Sequence, residues 1–194
     1  LHYYAKRFFS PLMVSCEEEG WLTRKPDMNR EHFEFEKSIR LNVANETRKE
    51  QQVLVRWAVR NRSGEIVSSH EELVCVPAMS SVRLDKMEFP HIQVFDRYVS
   101  YELLKDGEVI SEGTVIFSLP KYFSYADPKL TCQVEGDEIV VQAQAYAKSV
   151  EIRNDTETLL LSDNYFDLNA GEKRVRILGG KPENLQLRSV YDIR

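Results

Sequence analysis

Runs of carboxylates are the first residues here whose types and spacing invite chemistry: Glu17, Glu18 and Glu19 in one place, Glu71 and Glu72 in another. Two carboxylates facing each other across a cleft can divide acid and base work in a hydrolysis, and strand ends of a rigid scaffold usually deliver them. The carboxylates here are consecutive and sit beside turns among polar residues. Neighbours in a strand point to opposite faces, so a solvated surface is expected instead. His2, His32, His70 and His91 lie far apart and form no H-x-H, H-x-x-x-H or Cys/His cluster that would present metal ligands from one element. There is no G-x-S-x-G elbow and no glycine-rich phosphate loop. The sequence therefore predicts no catalytic residue, no cofactor and no metal within this chain.

Aromatic residues offer a different chemistry, since a ring exposed on a β-sandwich can stack on a sugar. Trp21 and the cluster Tyr122, Phe123 and Tyr125 are the candidates for such a contact. The competing expectation is that the cluster seals a junction between domains, where aromatic side chains bury large areas. Three N-x-S/T sequons, at Asn45, Asn61 and Asn154, would accept glycans in a secreted eukaryotic protein. Asn, Ser and Thr also favour turns for local hydrogen-bonding reasons, and that reading is preferred. Cys16, Cys75 and Cys132 make an odd number without a C-x-x-C pair and are expected to be free thiols. The order Cys16, Trp57, Cys75 does not fit the immunoglobulin disulfide core, in which the Trp closely follows the first Cys.

The elements that must hold these residues are strands. Ile39, Leu41 and Val43 alternate with Ser38, Arg40 and Asn42, while Val53, Val55, Trp57 and Val59 alternate with Gln52, Arg56 and Arg60. Period two is the signature of half-buried antiparallel strands. Turn signals fall at Asn61-Arg62-Ser63-Gly64, Asp106-Gly107 and Gly136-Asp137. Further strands are expected at 12–16, 73–76, 82–89, 114–117, 130–134, 150–153, 166–168, 174–178 and 185–191. So many short strands with so little helical periodicity predict an all-β fold of two antiparallel immunoglobulin-like sandwiches. The exception is the opening, where Leu1, Tyr4, Ala5, Phe8 and Phe9 recur at helical spacing until Pro11 stops the helix.

The chain has 194 residues, 42% of them hydrophobic and 29% charged, with a net charge of -5. That composition suits a globular protein and offers no attraction to nucleic acid or to an anionic membrane surface. No apolar run is long enough to cross a bilayer. Two prolines bracket residues 120–128, where alternation lapses, so three divisions are expected: a helical remnant at 1–10, a first sandwich at 11–120 and a smaller second sandwich at 121–194. The missing initiator Met and the aromatic-rich opening predict that residue 1 is a cut site within a longer polypeptide. The compartment is not fixed by these features, with a lean towards the cytoplasm.

The opening His2-Tyr3-Tyr4-Ala5-Lys6-Arg7-Phe8-Phe9-Ser10-Pro11 resembles the segment in β-mannosidase-type enzymes of glycoside hydrolase family two where the last barrel helix enters the first C-terminal sandwich. Ser162-Asp163-Asn164-Tyr165-Phe166-Asp167-Leu168, followed by Gly171-Glu172, resembles a motif of that family's final immunoglobulin-like domain. The resemblance implies a parent whose (β/α)8 barrel carries a glutamate acid/base and a glutamate nucleophile for retaining hydrolysis of terminal β-mannosides. No position here matches the motifs of those glutamates. It further implies that this chain is a non-catalytic accessory module whose partner is the catalytic barrel of the same polypeptide. Tyr3, Tyr4, Phe8 and Phe9 are the residues expected to dock on it. The rival expectation is a carbohydrate-binding or adhesion sandwich.

Overall fold

The structure, a computed structural model, describes residues 2–23, 35–156 and 158–193. Leu1, expected in the opening helix, and His32 lie outside the described residues. The chain divides into an N-terminal unit, Lys6–Arg60 with Ile66–Phe123, and a C-terminal unit, Leu1–Ala5 with Asn61–Glu65 and Ser124–Arg194. No helix among the described residues is long and apolar enough to cross a membrane.

The chain opens with helix α1 (His2–Phe8). The strands of the N-terminal unit follow: β1 (Leu12–Glu19), β2 (Ser38–Asn45), β3 (Gln51–Asn61), β4 (Ile66–Val76), β5 (Ser80–Arg83), β6 (Met87–Glu88), β7 (Arg97–Lys105) and β8 (Glu108–Val115). They form two sheets, β1-β2-β5 with β6 also on β2, and β4-β3-β7-β8. Alternation gives each sheet one apolar face, and in this unit the two sheets cover each other's. Leu41, Val43, Val99 and Leu103 are fully buried between the sheets, with Ile39, Val53, Val55 and Phe117 beside them. Trp57 sits at the margin of this core, half-buried, with its ring edge-on to Phe89 at 5.7 Å. The β7–β8 hairpin turns on Asp106 and Gly107, both at positive φ (52° and 86°), as a tight two-residue hairpin requires. Along the same hairpin Tyr101 faces Gly113, and its ring occupies the space that a larger side chain there would need.

The C-terminal unit contains β9 (Thr131–Glu135), β10 (Glu138–Ala143), β11 (Ala147–Arg153), β12 (Leu160–Leu161), β13 (Phe166–Leu168), β14 (Gly171–Gly179), β15 (Gln186–Arg188) and the single-turn helix α2 (Val190–Ile193). Its sheets run β12-β14-β10-β9 and β13-β11-β15. A second, separate core of Ile139, Val141, Val150, Ile152, Phe166 and Val175 lies between them.

Two expected strands are interrupted. The run 82–89 breaks into β5 and β6, which pair with different stretches of β2, at 42–45 and 38–39. Between them Leu84 N–H donates to Leu41 O at 2.9 Å. The run 185–191 stops at Arg188, because the Ser189 N–H donates to the Asp192 carboxylate at 2.7 Å and so starts α2. Ser38, expected to face solvent, is buried, and its hydroxyl donates to the Glu36 carboxylate at 2.7 Å. The two-residue strand β12 has no counterpart among the expected strands, being too short to show a period.

Since Leu41 is wholly enclosed between two sheets, replacing it with Ala leaves a cavity as well as lost burial. Urea denaturation of Leu41→Ala should show a loss of about 3 kcal/mol in the N-terminal unit, whereas Leu22→Ala, which is exposed, should change stability by about 0.5 kcal/mol or less.

Candidate docking surface

Helix α1 is seven residues long, short enough to be marginal in isolation, and none of its residues is fully buried. Lys6 and Arg7 in its last turn suit the negative end of the helix dipole. Ser10 N–H donates to Arg7 O at 3.3 Å, and the chain then passes through Pro11 into β1. The four aromatics at this end divide sharply. Tyr3 is half-buried and packs on the core of the C-terminal unit. Tyr4, Phe8 and Phe9 are 38%, 66% and 83% exposed. A cluster of large apolar rings left open to water is the commonest mark of a surface that another body covers.

The residues considered for sugar contact are not gathered into a site. Phe123 and Tyr125 are 1% and 4% exposed, which corrects the expectation that they offer open ring faces. Phe123 packs edge-to-face on Tyr98 at 6.4 Å in the N-terminal unit, and Tyr125 stacks on Tyr146 at 6.0 Å in the C-terminal unit. Trp21 is half-buried, with Phe35 edge-on at 5.5 Å. Tyr122 is the exposed member, and the Lys121 ammonium lies 4.8 Å from its ring centroid.

The remaining chemistry-bearing residues take structural roles. Glu17 pairs with Arg83, and Glu71 lies 3.5 Å from Arg56, which also reaches Glu102 at 3.4 Å. His2, His70 and His91 are exposed, and among the described residues no group of three potential ligands gathers around a metal position. Asn45 and Asn154 are buried. The Asn45 amide donates to Lys49 O, Val76 O and Pro77 O at 2.9–3.1 Å, and Asn154 donates to Thr156 Oγ1 and Lys181 O. Asn61 Oδ1 accepts the Ser63 and Glu65 N–H groups at 3.0 Å. Asn45 and Asn61 thus shape their local turns, while Asn154 ties its segment to Lys181. Cys16, Cys75 and Cys132 are free. Burial, with Glu18 nearby, pushes the Cys16 thiol pKa up to about 12, and burial also raises that of Cys132.

Beside Tyr3 lies a polar cluster that the sequence did not single out. Glu151 on β11 is 9% exposed. It accepts a hydrogen bond from Tyr165 Oη at 2.9 Å and pairs through its other oxygen with Arg188 of β15. The strand pattern gave no warning, because a charged residue between Val150 and Ile152 reads as an ordinary outward position. Burial pushes the Glu151 pKa upward, but the bonds from Arg188 and Tyr165 outweigh it and hold the carboxyl below its usual range.

Residues 37–122 match the family described as the Mannosidase Ig/CBM-like domain, and residues 125–193 match an Ig-fold domain family of mannosidases. No curated protein sequence matches the chain. Among solved structures it is similar to a β-D-mannosidase from Dictyoglomus thermophilum, at 16% identity and a TM-score of 0.73, over 97% of this chain and 22% of that one. It is also similar to the exo-chitosanase CsxA of Amycolatopsis orientalis, at 11% identity and a TM-score of 0.61, over 97% of this chain and 27% of that one. The chain thus spans 22% and 27% of the length of these two proteins.

The Glu151 cluster makes stability acid-sensitive with a definite sign. Its folded pKa lies below the unfolded value of about 4.3, so its stabilisation is complete above that value and is lost as pH falls through the folded pKa. Thermal melts between about pH 5 and pH 3 should therefore fall less steeply for Glu151→Gln than for the wild type; equal slopes would remove the cluster from the account.

Proposed function

We propose that this chain, whose two sandwiches belong to the Mannosidase Ig/CBM-like and Ig-fold domain families, braces the catalytic barrel of a β-mannosidase-type polypeptide. In this reading the barrel carries the acid/base and nucleophile of retaining hydrolysis, and this chain contributes surface rather than chemistry. The observation that carries the reading is the open aromatic end of α1, where Tyr4, Phe8 and Phe9 are large, apolar and exposed. A ring that costs solvation in this chain gains burial once the barrel covers it.

Carbohydrate binding has less support, because the rings suited to it are buried or half-buried except for Tyr122, over which Lys121 lies. The proposal extends to a reducing compartment, which suits three free thiols, two of them raised in pKa by burial.

The double substitution Phe8→Ser with Phe9→Ser tests the docking role. Both rings are exposed, so the melting temperature of this 194-residue chain should hardly change. In the full-length polypeptide the same pair should cost about 2 kcal/mol or more, the scale for losing large buried side chains. Equal effects in both would refute docking at these positions. Hydrolysis of a chromogenic β-mannoside that copurifies with this chain alone would refute the accessory role.

A further inference from the structure

We infer that residues 162–168 form a receptor that holds the start of α1 on the C-terminal sandwich through Tyr3, and that α1 loses stability when this lock opens. The inference rests on contacts inside the C-terminal unit and does not depend on the accessory role. Every residue of the segment Ser162-Asp163-Asn164-Tyr165-Phe166-Asp167-Leu168 is committed to holding one loop shape. Ser162 Oγ accepts the Arg176 N–H at 2.8 Å, and Asp163 pairs with Lys173 at 3.3 Å. Asn164 is buried, and its amide both accepts the Ile152 N–H and donates to Ile152 O, each at 2.8 Å, which fastens the loop to β11. Phe166 and Leu168 sit in the core, and Asp167 accepts the Ser149 N–H at 2.8 Å.

The loop presents one residue in an unusual way. Tyr165 has φ of 56°, a conformation that bulky L-residues rarely adopt and that persists only where the surroundings impose it. Asn164 Oδ1 accepts the Tyr165 N–H at 2.9 Å, and Glu151 takes the phenol at 2.9 Å while pairing with Arg188. Held at both ends, the Tyr165 ring lies 6.2 Å from the Tyr3 ring at an angle of 52°. Leu161 N–H donates to Tyr3 Oη at 3.4 Å, so Tyr3 is held at both its ring and its hydroxyl.

A helix of seven residues has too few internal hydrogen bonds to offset its nucleation cost, and α1 has no fully buried residue. Tyr3 is partly buried against the second core, so that contact contributes to the stability of the start of α1. The rigid Tyr165 shelf lowers the entropy lost on making it, in the manner of any preorganised site.

Hydrogen exchange at the amides of residues 3–8 tests the lock in the whole 194-residue chain. The wild type should exchange at least about tenfold more slowly than an unstructured peptide. Tyr3→Ala and Tyr165→Ala should each speed exchange at these amides severalfold. Phe8→Ala, which removes an exposed ring from the same helix, should leave them protected. Amides of β10 and β14 report whether the sandwich stays folded; should Tyr165→Ala disturb them, Tyr3→Ala alone decides. Unprotected amides in the wild type, retained protection in Tyr3→Ala, or an equal loss in Phe8→Ala would each overturn the inference.

Discussion

A β-strand puts alternate side chains on opposite faces, and both sandwiches rest on that constraint. Each sheet here has one face of Val, Ile, Leu and Phe that must be kept from water, and a second sheet packed across it is the arrangement that covers the whole face at once. The requirement is met twice, by separate clusters around Leu41 and Leu103 in one unit and around Ile139 and Val150 in the other. With the cores assigned, what remains exposed and apolar stands out. Among the described residues Tyr4, Phe8 and Phe9 are aromatic rings left open at the end of α1, as Ile66, Val67 and Leu73 are along β4.

The fold class was legible because period two is a property of single strands. The alternation through β2 and β3 and the Asp106-Gly107 turn each carry their meaning within a few residues, without knowledge of what packs on them. Features that depend on distant partners were not legible. The break between β5 and β6 reflects how two short strands share β2, and the burial of Ser38 depends on a hydrogen bond to Glu36 outside the strand. Phe123 and Tyr125 lie in a proline-bracketed stretch that looks like loop, yet each ring is taken up by an aromatic neighbour from elsewhere in the sequence. Glu151 is the clearest case: its role comes from Tyr165 and Arg188, which no pattern on β11 announces.

The same contrast applies to function. Residue types that do chemistry in other proteins are present, but their partners here turn them into scaffold. Asn45 and Asn61 shape turns, Asn154 tethers a distant segment, carboxylates pair with arginines, and the Cys16 thiol sits where its pKa is raised. The motif at residues 162–168 follows this logic furthest, since its polar atoms shape a loop rather than meet a substrate.

Hydroxyl-radical footprinting at Tyr4, Phe8 and Phe9, carried out on this chain and on the full-length polypeptide under the same conditions, tests the central claim most directly. The account predicts strong labelling of all three rings in this chain, in keeping with their exposure, and suppression of labelling at Phe8 and Phe9 when the barrel is present. Equal labelling of those two rings in both proteins would mean that nothing covers them, and the docking role would fall.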